Sequence, residues 1–438
     1  MRTLSDHLKE AGRERHARME ALPFVGALTG GTLPLPNYVA QLRAMAMIHA
    51  TLDQELRQAE PTPLIALHQR RPSRLAHLRA DLGVFDPLGI PDCLDAVQQA
   101  RHIEGLIRRT RTEQPDLLPA YLYVLEGMTL GNTVHLPDVI RTFGQQVAEA
   151  THYYAGYGEK TGEYWQEFRQ VLNALPVAEG VCAKLVESVL GLFDLLEPLF
   201  AALFPVREGG WGFTATMLNS EAGNHQVPDN AAELRAASEA ARRCCEEFPY
   251  FDARYGERGG RFARSDAAWL AALTTLPRGL LMGQVEWLGR FLGNRGMPRI
   301  ALERQLELLH EELSAAQPER RTAYVVLLEA SASLKAERLA TIPSLAFDEL
   351  SRQFDSATRG CEQAALRRTG DLIVSAVCDE VCGITNASES LVSWLADPQR
   401  FPAPWADAVL KTTGQARLQA TPHGSRITNH ESPTYEPA

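Results

Sequence analysis

The chain has 438 residues, of which 45% are apolar and 22% charged, and a formal net charge of -10. That length exceeds one ordinary core and predicts two or three domains. The acidic balance, without a basic-aromatic stripe or zinc-finger spacing, excludes nucleic acid as an expected partner, and seven cysteines spread over so long a chain do not form a secreted disulfide framework.

In chain order, the N-terminus Leu4-Ser-Asp-His-Leu-Lys-Glu is charged and has no apolar signal core, so a cytoplasmic location is expected. From residue 4 to about 206 the apolar residues recur at three- and four-residue spacing, which predicts an all-α bundle. A breaker with Gly30, Gly31, Pro34 and Pro36 precedes a long helix from Asn37, its expected cap, to Leu56. Further helices are predicted over 92–113, 116–130, 137–153, 161–174 and 179–203. The longest apolar run, Val189 to Val206, is interrupted by Asp194 and Glu197 and contains Pro198 and Pro205. It predicts a buried helix end, with no membrane span.

The expected domains are 1–205, a linker over 206–229 and a second all-α module over 230–411, followed by a poorly ordered tail over 412–438. Within the second module helices are predicted over 231–247, 265–276, 279–294, 298–316, 320–338, 345–366 and 368–395. The stretch from Pro249 to Phe262, rich in Gly and Arg, predicts a turn leading to a helix capped by Ser265. Cys378 and Cys382 share a helix face but lack further ligands, which reads as buried thiols rather than a metal site. The neighbours Cys244 and Cys245 point to different faces and predict one buried and one exposed thiol.

Two motifs carry chemistry. His16 and Glu20, four apart on a helix, share one face, so the carboxylate can orient the imidazole as it does for metal-ligating histidines. Gly127 and Gly131 are also four apart, and a helix containing both clears one face for the close approach of a flat ligand at a cost of roughly 1 kcal/mol each. A solvated surface pair and a close helix contact are the corresponding bland readings.

The stretch Leu8 to Leu56, opening with His16-Ala-Arg-Met-Glu20, resembles the start of the heme oxygenase family, whose first helix carries the proximal ligand as His-x-x-x-Glu. Tyr121-Leu-Tyr-Val-Leu-Glu-Gly-Met-Thr-Leu-Gly131 resembles the distal helix of its bacterial members. Gly156-Tyr-Gly-Glu-Lys-Thr-Gly-Glu-Tyr-Trp-Gln-Glu-Phe-Arg169 resembles the segment that follows in bacteriophytochrome-associated members, and the likeness spans roughly residues 4–203.

The resemblance implies a heme-oxygenase-like bundle that holds heme as both cofactor and substrate. It implies His16 as the axial iron ligand, Glu20 as its hydrogen-bond partner and Gly127 and Gly131 as the distal wall. Lys9 and Arg169, the latter in Phe168-Arg-x-x-x-Asn173, match basic contacts to heme propionates; Tyr123 is one position out of register with a propionate-binding Tyr of the animal enzymes. Where several members have Asp after the first distal glycine, this chain has Met128, a weak acceptor that cannot organise water in the same way and that resembles a sixth ligand of other heme proteins.

The implied activity is conversion of heme to biliverdin, carbon monoxide and ferrous iron with O2 and an external reductant. The electron donor, an acidic flavoprotein or ferredoxin, would meet a basic patch of Arg70, Arg71, Arg74, Arg79, Arg108, Arg109 and Arg111. Met128 keeps open a heme-binding sensor or carrier without turnover. A di-iron helical scaffold is disfavoured, since the facing Glu and His ligands it needs are not evident. The second module suggests an accessory role, including a homodimer.

Overall fold

The computed structural model describes residues 3–176 and 179–421; residues 422–438, most of the expected tail, lie outside the described residues. The described chain is all-α apart from one two-residue strand pair, and it forms two compact units, the first ending at Asn224 and the second starting at His225.

The first unit opens with α1 (Leu4–Glu20), where the Thr3 hydroxyl accepts from the Asp6 amide while the Asp6 carboxylate accepts from the Thr3 amide. This reciprocal cap satisfies two donors that a helix start leaves bare. After α2 (Pro23–Thr29) comes α3 (Leu35–Gln58), buried without a break from Tyr38 to Leu52, as expected of a helix surrounded by others. Its start departs from expectation. The helix begins behind Pro34, and Asn37 lies inside it, donating from its side chain to the Leu203 carbonyl at 2.6 Å. Buried between helices, Asn37 serves the end of a distant helix rather than the start of its own.

The helices α4 (Pro63–Arg70), α5 (Arg74–Phe85) and α6 (Leu94–Glu113) follow, and then α7 (Leu118–Phe143). α7 runs through Pro137 as one helix, in place of the two expected over 116–130 and 137–153. Beyond the proline its last turn is held from outside: Thr142 donates to the Leu28 carbonyl at 3.1 Å and Arg141 to that of Thr29 at 2.5 Å. α8 (Thr161–Asn173) and α9 (Glu179–Leu203) complete the bundle.

Between α7 and α8 the chain is irregular, and two buried side chains of α5 hold it. Asp81 accepts from the amides of His152 at 2.9 Å and Tyr153 at 2.8 Å and from the His152 imidazole. Arg74 donates to the carbonyls of Tyr153 and Gly156. Gly156 is required there: its φ is +64°, and a Cβ would meet Thr161 Oγ1 at 2.8 Å. Asp81→Ala leaves the buried Tyr153 amide and the part-buried His152 amide without this partner and is expected to destabilise the first unit by about 1–3 kcal/mol, read from a denaturant melt.

Much of the segment expected as a linker is instead attached to this unit. β2 (Trp211–Gly212) pairs antiparallel with β1 (Asp92–Cys93), and the hydroxyls of Thr214 and Thr216 donate to the Asp92 carboxylate at 2.5 and 3.0 Å. Asp92, fully buried, also accepts from Arg43 at 3.0 Å. A buried carboxylate needs such partners, and the Thr-rich turn supplies them.

The second unit comprises α10 (Ala231–Glu247), α11 (Tyr250–Leu273), α12 (Arg278–Gly293), α13 (Arg299–Ala316), α14 (Arg321–Thr341), α15 (Ser344–Thr358), α16 (Thr369–Val381), α17 (Ala387–Leu395) and α18 (Ala403–Gln419). Two buried ion pairs, Arg299 with Asp379 at 2.7 Å and Arg338 with Glu303 at 2.7 Å, join α13 to α16 and α14. The expected turn over 249–262 is helical, kinked at Gly256 (φ +56°), and Ser265 lies inside α11 with its hydroxyl on the Phe262 carbonyl. The tertiary contacts override the glycines: Tyr250 is fully buried and its hydroxyl donates to the Gly296 carbonyl at 2.7 Å. α18 likewise occupies residues expected to begin the tail. Cys244 is buried and Cys245 half-buried, as are Cys378 and Cys382 respectively.

Candidate functional site

α1 lies on α9 along Leu8 and Gly12; a Cβ at Gly12 would stand 3.2 Å from the Phe193 ring. Arg15 and Arg18 extend the contact to Asp194 and Glu197. One turn beyond Gly12, His16 sits edge-on to Phe193, with ring centroids 6.3 Å apart. Its Nδ1 is 3.5 Å from Glu20 Oε1 and its side chain is 61% exposed. The paired imidazole therefore has an open side.

α7 presents Tyr123, Gly127, Gly131 and Val134 along one face, since residues three and four apart lie above one another. A Cβ at Gly131 would meet nothing within 4 Å, and one at Gly127 would make only an ordinary 3.7 Å contact with Trp165. Close packing of a neighbouring helix thus does not account for Gly131. Val134, on the same face, is 71% exposed. Met128 is half-buried against the hydrophobic core. It lies about 100° round the helix from Gly127.

α1 and α7 are tied near both ends. Arg169 of α8 donates to Ser5 and Asp6 at 3.1 and 3.0 Å, and both Arg169 and Asp6 act on the buried Tyr123 hydroxyl, which burial holds above its ordinary pKa. At the other end α2, which follows α1, meets α7 through Leu28 and Thr29. His16 and the two glycines fall in the interval between these ties.

Behind the glycine face is a polar network that sequence reasoning missed. Glu126, 5% exposed, accepts from the Tyr157 hydroxyl at 3.0 and 3.2 Å. Arg71 Nη1 lies 3.7 Å away and His68 Nδ1 3.6 Å, ion-pair rather than hydrogen-bond distances. His68 Nε2 meets Asp53 at 3.0 Å, and Arg71 donates on to the Tyr164 carbonyl at 2.6 Å. Burial opposes a charged His68, but Asp53 and Glu126 outweigh it and raise its pKa to about 9. Against the same burial, His68 and Arg71 hold Glu126 below the usual carboxylate range. Nearby His49 has no such partner, and burial pushes it down to about 4.

Residues 2–202 match the heme oxygenase family. Comparison with curated proteins finds no match. Among solved structures, the heme oxygenase of Leptospira interrogans is 20% identical over 46% of this chain and 99% of its own, with a TM-score of 0.41. Heme oxygenase-1 of Synechocystis sp. PCC 6803, solved with heme, is 17% identical over 46% of this chain and 93% of its own, at 0.41. Heme oxygenase-2 of the same organism, solved with heme and NO, is 19% identical over 46% and 85%, at 0.42.

The first unit places the remaining expected residues unevenly. Lys9 is exposed on α1. Arg169 is half-exposed but already paired with Asp6. Tyr123 is buried against Trp165, with ring centroids 5.5 Å apart. The expected basic patch is incomplete, because Arg71 and Arg74 are buried and, of its seven arginines, Arg70 and Arg109 alone are exposed rather than half-buried or buried. Their inward turn has a reason: carbonyls and carboxylates of a distant loop and helix need donors. Among the described residues no group of three or more His, Cys, Asp and Glu is arranged to hold a metal ion, and no helix is long and apolar enough to cross a membrane.

Proposed function

We propose that the first unit binds heme with His16 as axial ligand and degrades it oxidatively to biliverdin, carbon monoxide and ferrous iron, using O2 and an external electron donor. The observation that carries this reading is the open space at Gly131, on the same face of α7 as Gly127, in a unit that also exposes a carboxylate-paired imidazole. Heme, when bound, supplies the iron that activates oxygen and is itself the substrate. Glu20 orients the His16 ring and raises its basicity as a ligand. Gly127 and Gly131 keep side chains off one face of the macrocycle. Lys9 and Arg169 offer charge-assisted contacts to its propionates, Arg169 by exchanging or sharing Asp6. The donor would dock on the exposed Arg70 and Arg109 and the half-exposed Arg108 and Arg111. Carbon monoxide release, in step with loss of added heme, tests the reaction; heme loss without it would reject it.

Met128 favours a second reading, a heme-binding sensor or carrier without turnover, because a half-buried thioether cannot hold a water for proton delivery. Met128→Asp is expected to raise the turnover rate several-fold if that water is limiting, at some cost in stability, since the carboxylate replaces a core contact. Unchanged rate and unchanged ferric spectrum would count against the water-organising role. For the second unit, a homodimer fits the surface of α12, where Leu280, Trp287 and Phe291 stand exposed on one face.

A further inference from the structure

We propose that His68 is a positioning residue for the ligand face of α7: by bridging Asp53 of α3 and Glu126 of α7 it fixes the turn that presents Gly127. This rests on the heme-binding reading above. Glu126 immediately precedes Gly127, so the glycine face cannot rotate unless the carboxylate moves with it, and successive residues are about 100° apart round the helix. That carboxylate is held from three sides, by the Tyr157 hydroxyl, by Arg71 and by His68. Met128 stands on the opposite flank of the glycine face and packs against the hydrophobic core. The polar constraint on this turn therefore comes from the Glu126 side.

Charge makes the bridge conditional. The groups that face His68 and its partners are Asp53, His49 and Arg57 from α3, Glu126 from α7, Arg71 behind α4, Glu167 from α8 on that arginine, Arg74 from α5, and Tyr157. Arg74 is engaged by loop carbonyls, and burial keeps His49 neutral at physiological pH. With His68 protonated, one cation joins Asp53 and Glu126, while Arg57 also acts on Asp53 and Arg71 is divided between Glu126 and Glu167. Without that proton the two buried carboxylates lose the cation that joins them, and the hold on the turn weakens. Because the His68 pKa rises from 6.5 to about 9, the bridge contributes fully below pH 6.5 and is lost as pH rises through about 9.

The test uses the full chain and its His68→Gln and Glu126→Gln variants. Amide exchange over residues 124–131 of α7 is measured without heme at pH 7, and hemin transfer to excess apomyoglobin between pH 6.5 and 9.5. The expected result is faster exchange in His68→Gln and hemin release raised roughly tenfold at pH 7, as for loss of an orienting partner. The ratio of variant to wild-type release should fall towards one by pH 9.5. Glu126→Gln, which keeps the shape, should return the His68 imidazole resonance towards an ordinary titration. Faster exchange with unchanged release would make the network merely structural and overturn the proposal, as would unchanged exchange. If His68→Gln does not fold, a wild-type release rate that stays flat through pH 9 overturns it. A wild-type protein that binds no hemin would instead remove the heme reading, and this one with it.

Discussion

His16→Ala is expected to lower hemin affinity by more than the roughly 10–100-fold that loss of an orienting partner costs, because it removes the axial ligand itself. The side chain is 61% exposed and its ion-pair partner Glu20 is equally exposed, so the fold should lose little, within about 0.5 kcal/mol. The variant therefore separates ligation from folding. An unchanged melt, with a ferric Soret band that is weakened, shifted and lost on gel filtration, is the predicted outcome. A wild-type-like Soret band in the variant would show that another group holds the iron.

The second large effect has opposite signs for stability and binding. Gly131 lies inside α7, and a Cβ there meets nothing within 4 Å. Gly131→Ala should thus gain helix propensity and stabilise the heme-free protein by roughly 0.5–1 kcal/mol, a rise of a few degrees in Tm. Gly131→Leu should keep part of that gain while placing a bulky side chain where the macrocycle would lie, and hemin affinity should fall at least tenfold. A glycine kept for helix packing predicts the reverse: stability lost and binding untouched. Differential scanning calorimetry and hemin titration on the same variants distinguish the two.

What the sequence reveals of this site follows from where its signals lie. His16 with Glu20 and Gly127 with Gly131 are periodic within single helices, so spacing alone puts each pair on one face. The Asp53, His68 and Glu126 network has no local period, because its members come from three different helices, the third of them distant from the first two in the chain. One hint was present: Glu126 stands alone in the apolar run from Tyr121 to Leu130, and a lone acid there needs a buried partner. The arginine cluster misled for a similar reason, since only the distant carbonyls of Tyr153 and Gly156 explain why Arg74 turns inward. Local breakers were overruled twice, at Pro137 in α7 and at the glycines of α11, where contacts from outside hold the helix. The cap expected at Asn37 failed in the same way, its side chain being taken by Leu203.

The measurement that bears most directly on the central claim is to add one equivalent of hemin to the full chain in air, with an electron source and catalase, and follow the optical spectrum. Loss of the Soret band with growth of a biliverdin band is the predicted result. A Soret band that persists under reduction, yet vanishes in His16→Ala, would contradict degradation and identify a unit that only holds heme.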